Sequence, residues 1–354
     1  MQARFLTQLD LSPAQSVATD QYFLQTIGST RMPILRLYTY PGDVVLLGRY
    51  HALDSFAENT TISMTRRLTG GRIFPSGHGF VQFSLILPHR SALFSDDPYH
   101  LAPFQVLNRY VRGVLHGLKT NSVEAFYPGR DFLTIRRLPA GWISFVTEDN
   151  GALLCEGGLF VQRDMSLLPH LLDRVDPQGT LPCQLFMPDQ IANLEKTGGK
   201  IVPISQVTDL LRRGFAQQFG QFSLELNDQD LSAAEQKAIE SFIQKKSAAR
   251  WLKERSVRSD LSCFATTATP LGQLQIRFSV TPENAIGEVQ FSGDCIANPA
   301  GISALEYNLQ KCPLEKESLW KVIDRTFLQP EHYLLGVGKL GTLPDVILTG
   351  LGDQ

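Results

Sequence analysis

The sequence predicts an α+β fold in which a mixed β-sheet is flanked by helices. Helical segments alternate irregularly with strand-like runs, and the strand-like runs often follow one another directly, as in ILRLYTY (34–40) and DVVLLGRY (43–50). Adjacent strands interleaved with single helices are typical of a mixed sheet rather than a doubly wound parallel one. A shift in composition after the charged stretch at 251–260 indicates a second, smaller α+β unit at the C-terminal end.

The N-terminal part begins with a helix and two strands. Ser12 is a suitable N-cap and Pro13 a suitable first helical residue, and apolar residues at helical spacing continue to Ile27. Gly28 is expected to end this helix. Pro41-Gly42 then separates the two strand-like runs, and a Pro-Gly turn signal predicts that these strands pair with each other.

Strands and helices alternate through the middle of the chain. VQFSLILP (81–88) is nearly all apolar, which predicts a central strand that is buried on both faces. Residues 102–118 have a helical period. Three further runs predict strands, namely DFLTI (131–135), WISFV (142–146) and GGLFVQ (157–162).

The last third of the chain contains helices on either side of a strand-rich stretch. A helix over 204–219 is followed by one that opens at Ser232, where Ser232 and Glu235 form a capping-box pattern. Next come two or three strands and then two helices, at about 262–293, 301–311 and 315–326. We place the boundary near residue 258, so the predicted units are a catalytic-type domain over 1–257 and a small accessory domain over 258–354.

The composition excludes several classes of protein. The chain has 354 residues, is 43% hydrophobic and 19% charged, and carries 33 basic against 35 acidic side chains. These values are ordinary for a globular protein, and the net charge of −2 creates no global field that would favour nucleic acid or acidic membranes. Because the chain lacks both a long apolar run and a secretory signal pattern, we expect a cytoplasmic protein with no membrane partner.

The cysteines and histidines do not indicate a metal site. Five cysteines stand far apart without a CxxC pair, and seven histidines are scattered without the HExxH spacing. An odd cysteine count without a framework fits a reducing compartment better than a disulfide scaffold. We therefore expect no protein-held metal.

The stretch RRLTGGRIFPSGHG (66–79) combines arginines with four glycines. Glycines let a backbone approach a ligand closely and direct consecutive N–H groups at an anion, and flanking arginines reinforce such a site. However, the spacing matches neither GxxxxGK[ST] nor GxGxxG, and no helix clearly follows. Spacing alone therefore leaves two interpretations open, a phosphate-binding loop and a tight turn between strands.

The ordered series VVLLGRY, RRLTGGR, GRDFLTI, LLCEGGLFVQRDMSLL and ANL resembles the lipoate–protein ligase A family. That family belongs to the biotin/lipoyl ligase and octanoyltransferase superfamily. The C-terminal segment GEVQFSGDCIANPAGISALEYNLQ is similar to the small accessory domain of the family. The resemblance implies a biotin/lipoyl ligase-like catalytic domain with a small α+β domain after it.

The resemblance also implies an activity. Ligases of this family use ATP and Mg²⁺ to activate lipoate or octanoate to an acyl-adenylate, and then transfer the acyl group to a lysine of a carrier domain. The implied partners are the lipoyl domain of 2-oxoacid dehydrogenase complexes or the glycine cleavage H protein, and not nucleic acid. In such a site arginines and backbone N–H groups neutralise the phosphates, and the adenylate leaves as the amine attacks.

The residues that correspond to the acyl-adenylate pocket of the family come from the first sheet, the glycine-rich stretch and a later strand. They are Gly48, Arg49, Arg66, Arg67, Thr69, Gly70, Gly71, Arg72, Ser76, Glu156 and Gly157. Ser76 and Glu156 stand where the family has histidines. Asp131 stands at the place of the family's aspartate.

The essential lysine of the family has no counterpart at the expected position. Counting from Asp131 without gaps places Leu138 there. Two arginines offer a replacement charge: Arg136 shares a face with Leu138 if residues 134–138 are extended, and Arg137 takes the place if the register slips by one. Arginine binds phosphate well but is a poor proton donor or acceptor, so it replaces an electrostatic role only. Arg136, Arg137 and Asp131 are the candidate catalytic residues.

Two other functions remain open. The first is an octanoyl or lipoyl transferase that carries the acyl group as a thioester on Cys155, with Cys183 as a weaker candidate. A neighbouring carboxylate, Glu156, would raise the pKa of the Cys155 thiol, which disfavours a thiolate. The second is a degenerate ligase homologue that binds the acyl ligand or a lipoyl domain without turnover, which the departures at Leu138, Ser76 and Glu156 favour.

Overall fold

The computed structural model describes residues 2–52, 63–162, 191–198, 202–245 and 251–352. Within these ranges the chain forms one large mixed sheet, a small sheet beside it, and a C-terminal unit with its own antiparallel sheet. The predicted α+β class with a mixed sheet flanked by helices is confirmed.

The strands of these sheets follow one another in chain order. They are β1 (Gln2–Gln8), β2 (Ile34–Tyr38), β3 (Val44–Leu47), β4 (Ser63–Arg66), β5 (Phe74–Ser76), β6 (Phe80–Leu87), β7 (Ala125–Phe126), β8 (Phe132–Ile135), β9 (Leu138–Thr147), β10 (Leu153–Phe160), β11 (Glu225–Asp228), β12 (Cys263–Thr269), β13 (Gly272–Val280), β14 (Ile286–Gly293), β15 (Ile296–Ala297) and β16 (Leu334–Leu335).

The α-helices of the described residues are also numbered in chain order. They are α1 (Pro13–Thr30), α2 (Val106–Tyr110), α3 (Arg112–Thr120), α4 (Leu194–Gly198), α5 (Ile204–Gly220), α6 (Ala233–Lys245), α7 (Pro299–Asn308), α8 (Lys316–Phe327) and α9 (Leu343–Thr349). Short 3-10 helices span Pro103–Gln105, Lys253–Arg255 and Leu340–Thr342. None of the helices described has the length and hydropathy that a membrane-spanning helix requires.

The large sheet has the strand order β11-β1-β2-β6-β10-β9-β8-β7. Its first three strands are parallel, and from β2 onwards every neighbouring pair is antiparallel. Every residue of β6 is buried, so the prediction that this apolar run forms a central strand is confirmed. The sheet therefore offers two covered faces at its centre.

The two strands on either side of Pro41-Gly42 do not pair with each other, so that prediction was wrong. β2 belongs to the large sheet, whereas β3 pairs in parallel with β4 and antiparallel with β5 in the small sheet. The turn carries the chain from one sheet to the other. The partners of β3 come from later in the sequence, and a local turn signal does not report them.

Helix α1 begins as predicted but ends later. The Ser12 hydroxyl accepts a hydrogen bond from the Gln15 backbone N–H, and the Gln15 side-chain oxygen accepts one from the Ser12 backbone N–H, which completes a capping box. The helix continues through Gly28 to Thr30 and ends at Arg31, which adopts φ 51° and donates its N–H to the Ile27 carbonyl. The predicted helix over 102–118 is divided into a 3-10 turn, α2 and α3.

The cores follow this layering. One face of the large sheet packs against α2, α3 and α5, and the other packs against α1 and the small sheet. A separate apolar cluster draws its members from the range 263–347, and Tyr50 joins it from the N-terminal part. This cluster is built on β12–β14 with helices α7, α8 and α9, of which α9 was not predicted. The boundary near residue 258 remains a prediction.

Candidate functional site

Polar side chains form two neighbouring rows across one face of the large sheet. The first row consists of directly opposed residues of β2, β6, β10 and β9. The second row consists of the opposed residues two positions away on the same strands. Directly opposed residues of antiparallel strands project to the same face. We call this set the polar band: Arg36, Ser84, Glu156 and Ser144 in the first row, and Tyr38, Gln82, Gly158 and Trp142 in the second.

The polar band is buried although it consists of polar groups. Apolar rows border it, one made of Ile34, Ile86, Leu154 and Val146, and the other including Phe80 and Phe160. A buried polar group is costly unless it has a hydrogen-bond partner. The partners of the band therefore show which of its members serve the fold and which remain available.

Helix α1 satisfies one end of the band. Asp20 forms a buried ion pair with Arg36 and accepts a hydrogen bond from Ser84 at 2.8 Å. The Arg36 guanidinium also donates to the Gln8 side chain at 2.9 Å, and its Cζ lies 5.0 Å from the centroid of the Tyr38 ring. This end of the band serves mainly to hold α1 on the sheet.

The glycine loop, residues 66–72, covers the other end of the band. The Thr69 hydroxyl donates to Glu156 at 2.6 Å, and the Ser144 hydroxyl donates to the Gly70 carbonyl at 2.9 Å. The loop that the sequence singled out is thus attached to the sheet by two strands of the band, β10 and β9. The structure brings Thr69 and Gly70 together with Glu156 and Ser144.

Arg67 is the cation of the loop that faces the band. It is 2% exposed, and its Nη2 donates to the carbonyls of Gly70 at 2.9 Å and Arg72 at 2.7 Å. Its Cζ lies 4.4 Å from the Trp142 ring centroid and 5.1 Å from that of Phe74. Its Nε and Nη1 are buried and have no acceptor among the described residues. Burial lowers the pKa of Arg67, against the opposing effect of Glu156 and Asp131.

Further unsatisfied polar atoms lie on the band itself. The indole Nε1 of Trp142, the amide oxygen of Gln82 and Nη2 of Arg36 are buried without a partner in the described part of the chain. The amide nitrogen of Gln82 donates a hydrogen bond to the Ser76 hydroxyl at 2.9 Å. Native interiors leave few polar atoms unsatisfied, and several on one surface call for a ligand, a water molecule or an ion. Of these side chains, Trp142 lies against Arg67, and the two together provide donors that suit an anion.

Arg66 has a structural role, in contrast to Arg67. Its Nη1 donates to the carbonyls of Gly48, Arg49 and His51, and its Nη2 donates to Leu252 at 2.7 Å. Burial lowers the pKa of Arg66 to about 10, with the neighbouring Arg255 as a second cause. Successive residues at the end of a strand project to opposite sides. Arg66 therefore anchors the backbone behind the loop and does not face the band.

The glycines of the loop permit close approach between parts of the chain. A Cβ on Gly70 would lie 2.1 Å from the carbonyl oxygen of Cys295, and a Cβ on Gly48 would lie 2.1 Å from that of Gly71. Gly71 adopts φ 88° and donates its N–H to the Cys295 carbonyl at 2.7 Å. In this arrangement the loop backbone contacts the C-terminal unit.

The remaining cations near the loop are held in ion pairs. Arg49 donates to Glu148 at 2.6 Å and to the Leu68 carbonyl, so its side chain points towards the turn between β9 and β10. Arg72 forms a bidentate pair with the fully buried Asp131. The structure thus places Asp131 beside the glycine loop, where it holds Arg72.

Arg136 and Arg137 are not extended, so the geometric premise for placing Arg136 beside Leu138 was wrong. They form the two-residue turn between β8 and β9, with φ 50° and 68°, and both side chains are exposed. Left-handed φ at both central residues is the geometry of a tight hairpin turn. Leu138 starts β9 and is 37% exposed. None of the three lies in the polar band.

Cys155 lies on the face of the sheet opposite to the polar band. It alternates with Glu156 along β10 and packs in the apolar cluster beneath α2 and α3. Burial raises the pKa of the Cys155 thiol strongly, and Glu156 raises it further. This environment disfavours the thiolate that a thioester mechanism needs. Gly157 faces the same side, where a Cβ would meet Phe83. Cys183 lies outside the described residues.

Glu156 is the ionisable group of the band whose pKa moves towards neutrality. It is 5% exposed, and burial raises its pKa from 4.5 to about 7. Arg67 and the Thr69 hydrogen bond oppose this increase, whereas Asp20 adds to it. A carboxyl group with such a pKa changes its charge within the physiological range, which is uncommon for glutamate.

Several members of the band were not predicted from the sequence, although polar residues alternate within their strands. Arg36 and Tyr38 alternate in β2, Gln82 and Ser84 alternate in β6, and Trp142 and Ser144 alternate in β9. A spacing of two places such residues on one face of a strand. Polar residues at this spacing inside apolar strands predict a shared buried surface. Among the described residues, no three histidine, cysteine, aspartate or glutamate side chains converge to hold a metal ion.

Solved structures of lipoate ligases share this fold. P. falciparum LipL1, in complex with lipoate, superposes with a TM-score of 0.70 at 13% identity, covering 98% of this chain and 100% of that one. The bipartite lipoate protein ligase of Thermoplasma acidophilum gives a TM-score of 0.58 at 19% identity, covering 73% and 99%. A lipoate-protein ligase A bound with ATP gives 0.56 at 18% identity, covering 72% and 99%.

Sequence comparison leads to the same class. The family model of the lipoyl protein ligase A/B catalytic domain matches residues 12–216. No curated protein matches the chain. The chain belongs to the lipoyl protein ligase A/B catalytic domain family, which confirms the resemblance.

Proposed function

We propose that this protein binds lipoate or a similar medium-chain acid at the polar band and activates it with ATP for transfer to a lysine of a lipoyl domain. Arg67 carries the proposal. Its guanidinium is buried, stacked on Trp142 and faces the band with Nε and Nη1 unsatisfied. Leaving a buried donor unpaired costs roughly 1–3 kcal/mol, and more for a charged group. An anionic ligand would remove that cost.

The chemistry of the site suits a carboxylate or an acyl phosphate. The Nε and Nη1 of Arg67 lie on opposite edges of the guanidinium, so each can donate one charge-assisted hydrogen bond to an anionic oxygen. The Trp142 indole would add a third donor, and the neighbouring aromatic cluster that includes Phe74, Phe80 and Phe160 would pack against the acyl chain. In the activation step, a carboxylate oxygen attacks the α-phosphorus of ATP and pyrophosphate leaves.

The transfer step would follow at the same site. The amine of the carrier lysine attacks the acyl carbonyl, the bond to the phosphate oxygen breaks, and AMP leaves. The charge on the leaving phosphate is then stabilised by Arg67, a fixed cation in a dry environment. Phosphates fit the donors of the site. Since the described side chains include no cluster for Mg²⁺, the ion would arrive bound to the triphosphate.

Exchange of pyrophosphate into ATP, dependent on lipoate or octanoate, tests the activation step. The wild type is compared with Arg67→Gln and with Arg136→Ala and Arg137→Ala as matched arginine controls on the exposed turn. We expect Arg67→Gln to lose about 100-fold or more, as for other groups that bind developing negative charge. The turn variants should stay within about twofold. If a turn variant abolishes exchange instead, the cation is supplied from the turn and the assignment of Arg67 is wrong.

Binding without turnover is a second candidate function. It is favoured by Leu138, which occupies the place of the family lysine and is 37% exposed outside the band. A protein of this kind would bind lipoate or a lipoyl domain in calorimetry and show no pyrophosphate exchange with either acid. Exchange above background in the wild type would reject this candidate.

A further inference from the structure

Glu156 places a carboxyl group beside the anion site that Arg67 defines. The Thr69 hydroxyl donates to it at 2.6 Å, and its opposed residue on β9 is Ser144. Ser144 and Arg67 both donate to the Gly70 carbonyl, each at 2.9 Å. Glu156 and Arg67 therefore border the same short stretch of the glycine loop, and each shifts the pKa of the other.

No hydrogen bond joins this carboxyl to this guanidinium. The Nη2 of Arg67 is used by the loop, and its Nε and Nη1 remain unsatisfied. A ligand carboxylate that accepts a hydrogen bond from either of those atoms would enter a buried site next to Glu156. If Glu156 were ionised, two negative charges would share one cation at low dielectric, which is strongly unfavourable.

We propose that binding of an anionic acyl ligand at Arg67 is coupled to the uptake of one proton by Glu156. The proposal rests on the proposed function for the location of the ligand. With Glu156 neutral, the pair of Arg67 and a ligand carboxylate has no net charge. The protonated carboxyl also keeps one oxygen to accept from Thr69 and gains a hydrogen that it can donate to the ligand.

The other charged or titratable groups that face Glu156 do not replace it. From α1, Asp20 is tied to Arg36 of β2 by an ion pair, although burial raises its pKa too. Burial raises the pKa of Tyr38 and of Tyr40, so both phenols stay neutral. Cys155, next along β10, has a raised pKa and points to the other face. Glu156, in contrast, has no ion-pair partner of its own within the described ranges of the chain, and burial raises its pKa to about 7.

The coupling has a defined sign. Well below pH 7 Glu156 is already protonated in the free protein, and ligand binding takes up no proton. Above pH 7 it is ionised, so each binding event must bring in a proton. Affinity for the anion then falls about tenfold per pH unit, until the pH reaches the raised pKa of the complex. A neutral ligand of the same shape has no such dependence.

The test is calorimetric titration with octanoate between about pH 6 and 8.5, each pH in two buffers of different ionisation enthalpy. Octanoate is fully ionised throughout, because an ordinary carboxyl has a pKa of about 4.3. Octanamide is the neutral comparison. At about pH 8 we expect the wild type to take up close to one proton with octanoate and none with octanamide. Glu156→Gln should take up none with either, and its octanoate affinity should not change with pH.

The outcomes separate the coupling from the proposed function. Octanoate binding at pH 8 without proton uptake overturns the coupling and leaves the ligand site in place. Uptake that persists in Glu156→Gln assigns the proton to Asp20 and also overturns the coupling. Binding of neither octanoate nor lipoate at any pH overturns the proposed function itself. If Glu156→Gln does not fold, Asp20→Asn decides instead: uptake retained in that variant supports the coupling to Glu156, and uptake lost in it assigns the proton to Asp20 and overturns the coupling.

Discussion

Replacement of Gly70 by alanine should destabilise the contact between the glycine loop and the C-terminal unit. The added Cβ would lie 2.1 Å from the Cys295 carbonyl oxygen and 3.2 Å from the Cα of Ile296. Both are backbone atoms, so neither can rotate away as a side chain would. Relief of the clash would separate the two segments and break the hydrogen bond from Gly71 to Cys295, which is 2.7 Å long.

The magnitude follows from these two losses. Overpacking of a well-packed site costs roughly 1–3 kcal/mol, and a backbone hydrogen bond contributes about 0.5–1.5 kcal/mol. Together they predict a loss of roughly 2–4 kcal/mol in the free energy of unfolding. That is a large part of the roughly 5–15 kcal/mol that stabilises an ordinary domain.

Urea denaturation measures this loss, and Gly28→Ala is the matched control. Gly28 lies in α1, and a Cβ there meets nothing within 4 Å. Since alanine is about 0.5–1 kcal/mol better than glycine inside a helix, Gly28→Ala should stabilise the protein. The same substitution is thus expected to have opposite signs at the two glycines. A Gly70→Ala protein as stable as the wild type would show that the loop is not packed against Cys295, and would refute the reasoning.

Three further predictions concern the two faces of the large sheet. Because the folded-state pKa of Glu156 is raised from 4.5 to about 7, its stabilising contribution is complete below pH 4.5 and is lost as the pH rises through 7. In urea denaturation, the free energy of unfolding of Glu156→Gln should thus match that of the wild type near pH 5 and exceed it by up to about 3 kcal/mol near pH 8. Equal stability of the two proteins at both pH values would contradict the raised pKa. Cys155→Ala should bind lipoate and octanoate as the wild type does, and its free energy of unfolding should fall by about 1 kcal/mol. If the wild type instead forms a trappable thioester that Cys155→Ala loses together with binding, the cysteine mechanism would be restored. Arg36→Met should cost roughly 3–5 kcal/mol, because it leaves Asp20 buried without its cation, and adding Asp20→Asn should recover part of that loss.

The elements that local chemistry specifies could be predicted from the sequence. The start of α1 is one, since the Ser12 and Gln15 side chains satisfy the first turn within four residues. The central position of β6 is another, because a strand that is apolar on both faces must have both faces covered. The alternation of helical and strand-like runs predicted the fold class, and the family motifs directed attention to the glycine loop.

The arrangement of the site depends on contacts between distant residues, which spacing does not report. Arg66 and Arg67 are adjacent and chemically identical, yet one anchors the backbone at Leu252 and the other faces the polar band. The hairpin turn at Arg136 and Arg137 lacks the glycine or asparagine that usually marks left-handed φ, so an extended strand was the natural expectation.

The polar band was missed for a related reason. Its opposed members are between 12 and 76 residues apart in sequence and meet only through the register of β2, β6, β10 and β9. Alternation of polar residues within each strand was the available signal. Pairing those strands correctly was needed before that signal could indicate one surface rather than several separate ones.

The affinity of octanoate for the wild type, Arg67→Gln and Arg137→Ala, measured by calorimetry at about pH 6.5, tests the assignment of the ligand site most directly. If the carboxylate binds Arg67, Arg67→Gln should weaken binding by at least about 10-fold, since a charge-assisted hydrogen bond contributes roughly 1.5–3 kcal/mol. Arg137→Ala should bind as the wild type does. Equal affinity in all three folded proteins would contradict the assignment, because the buried guanidinium of Arg67 would then have no part in holding the anion.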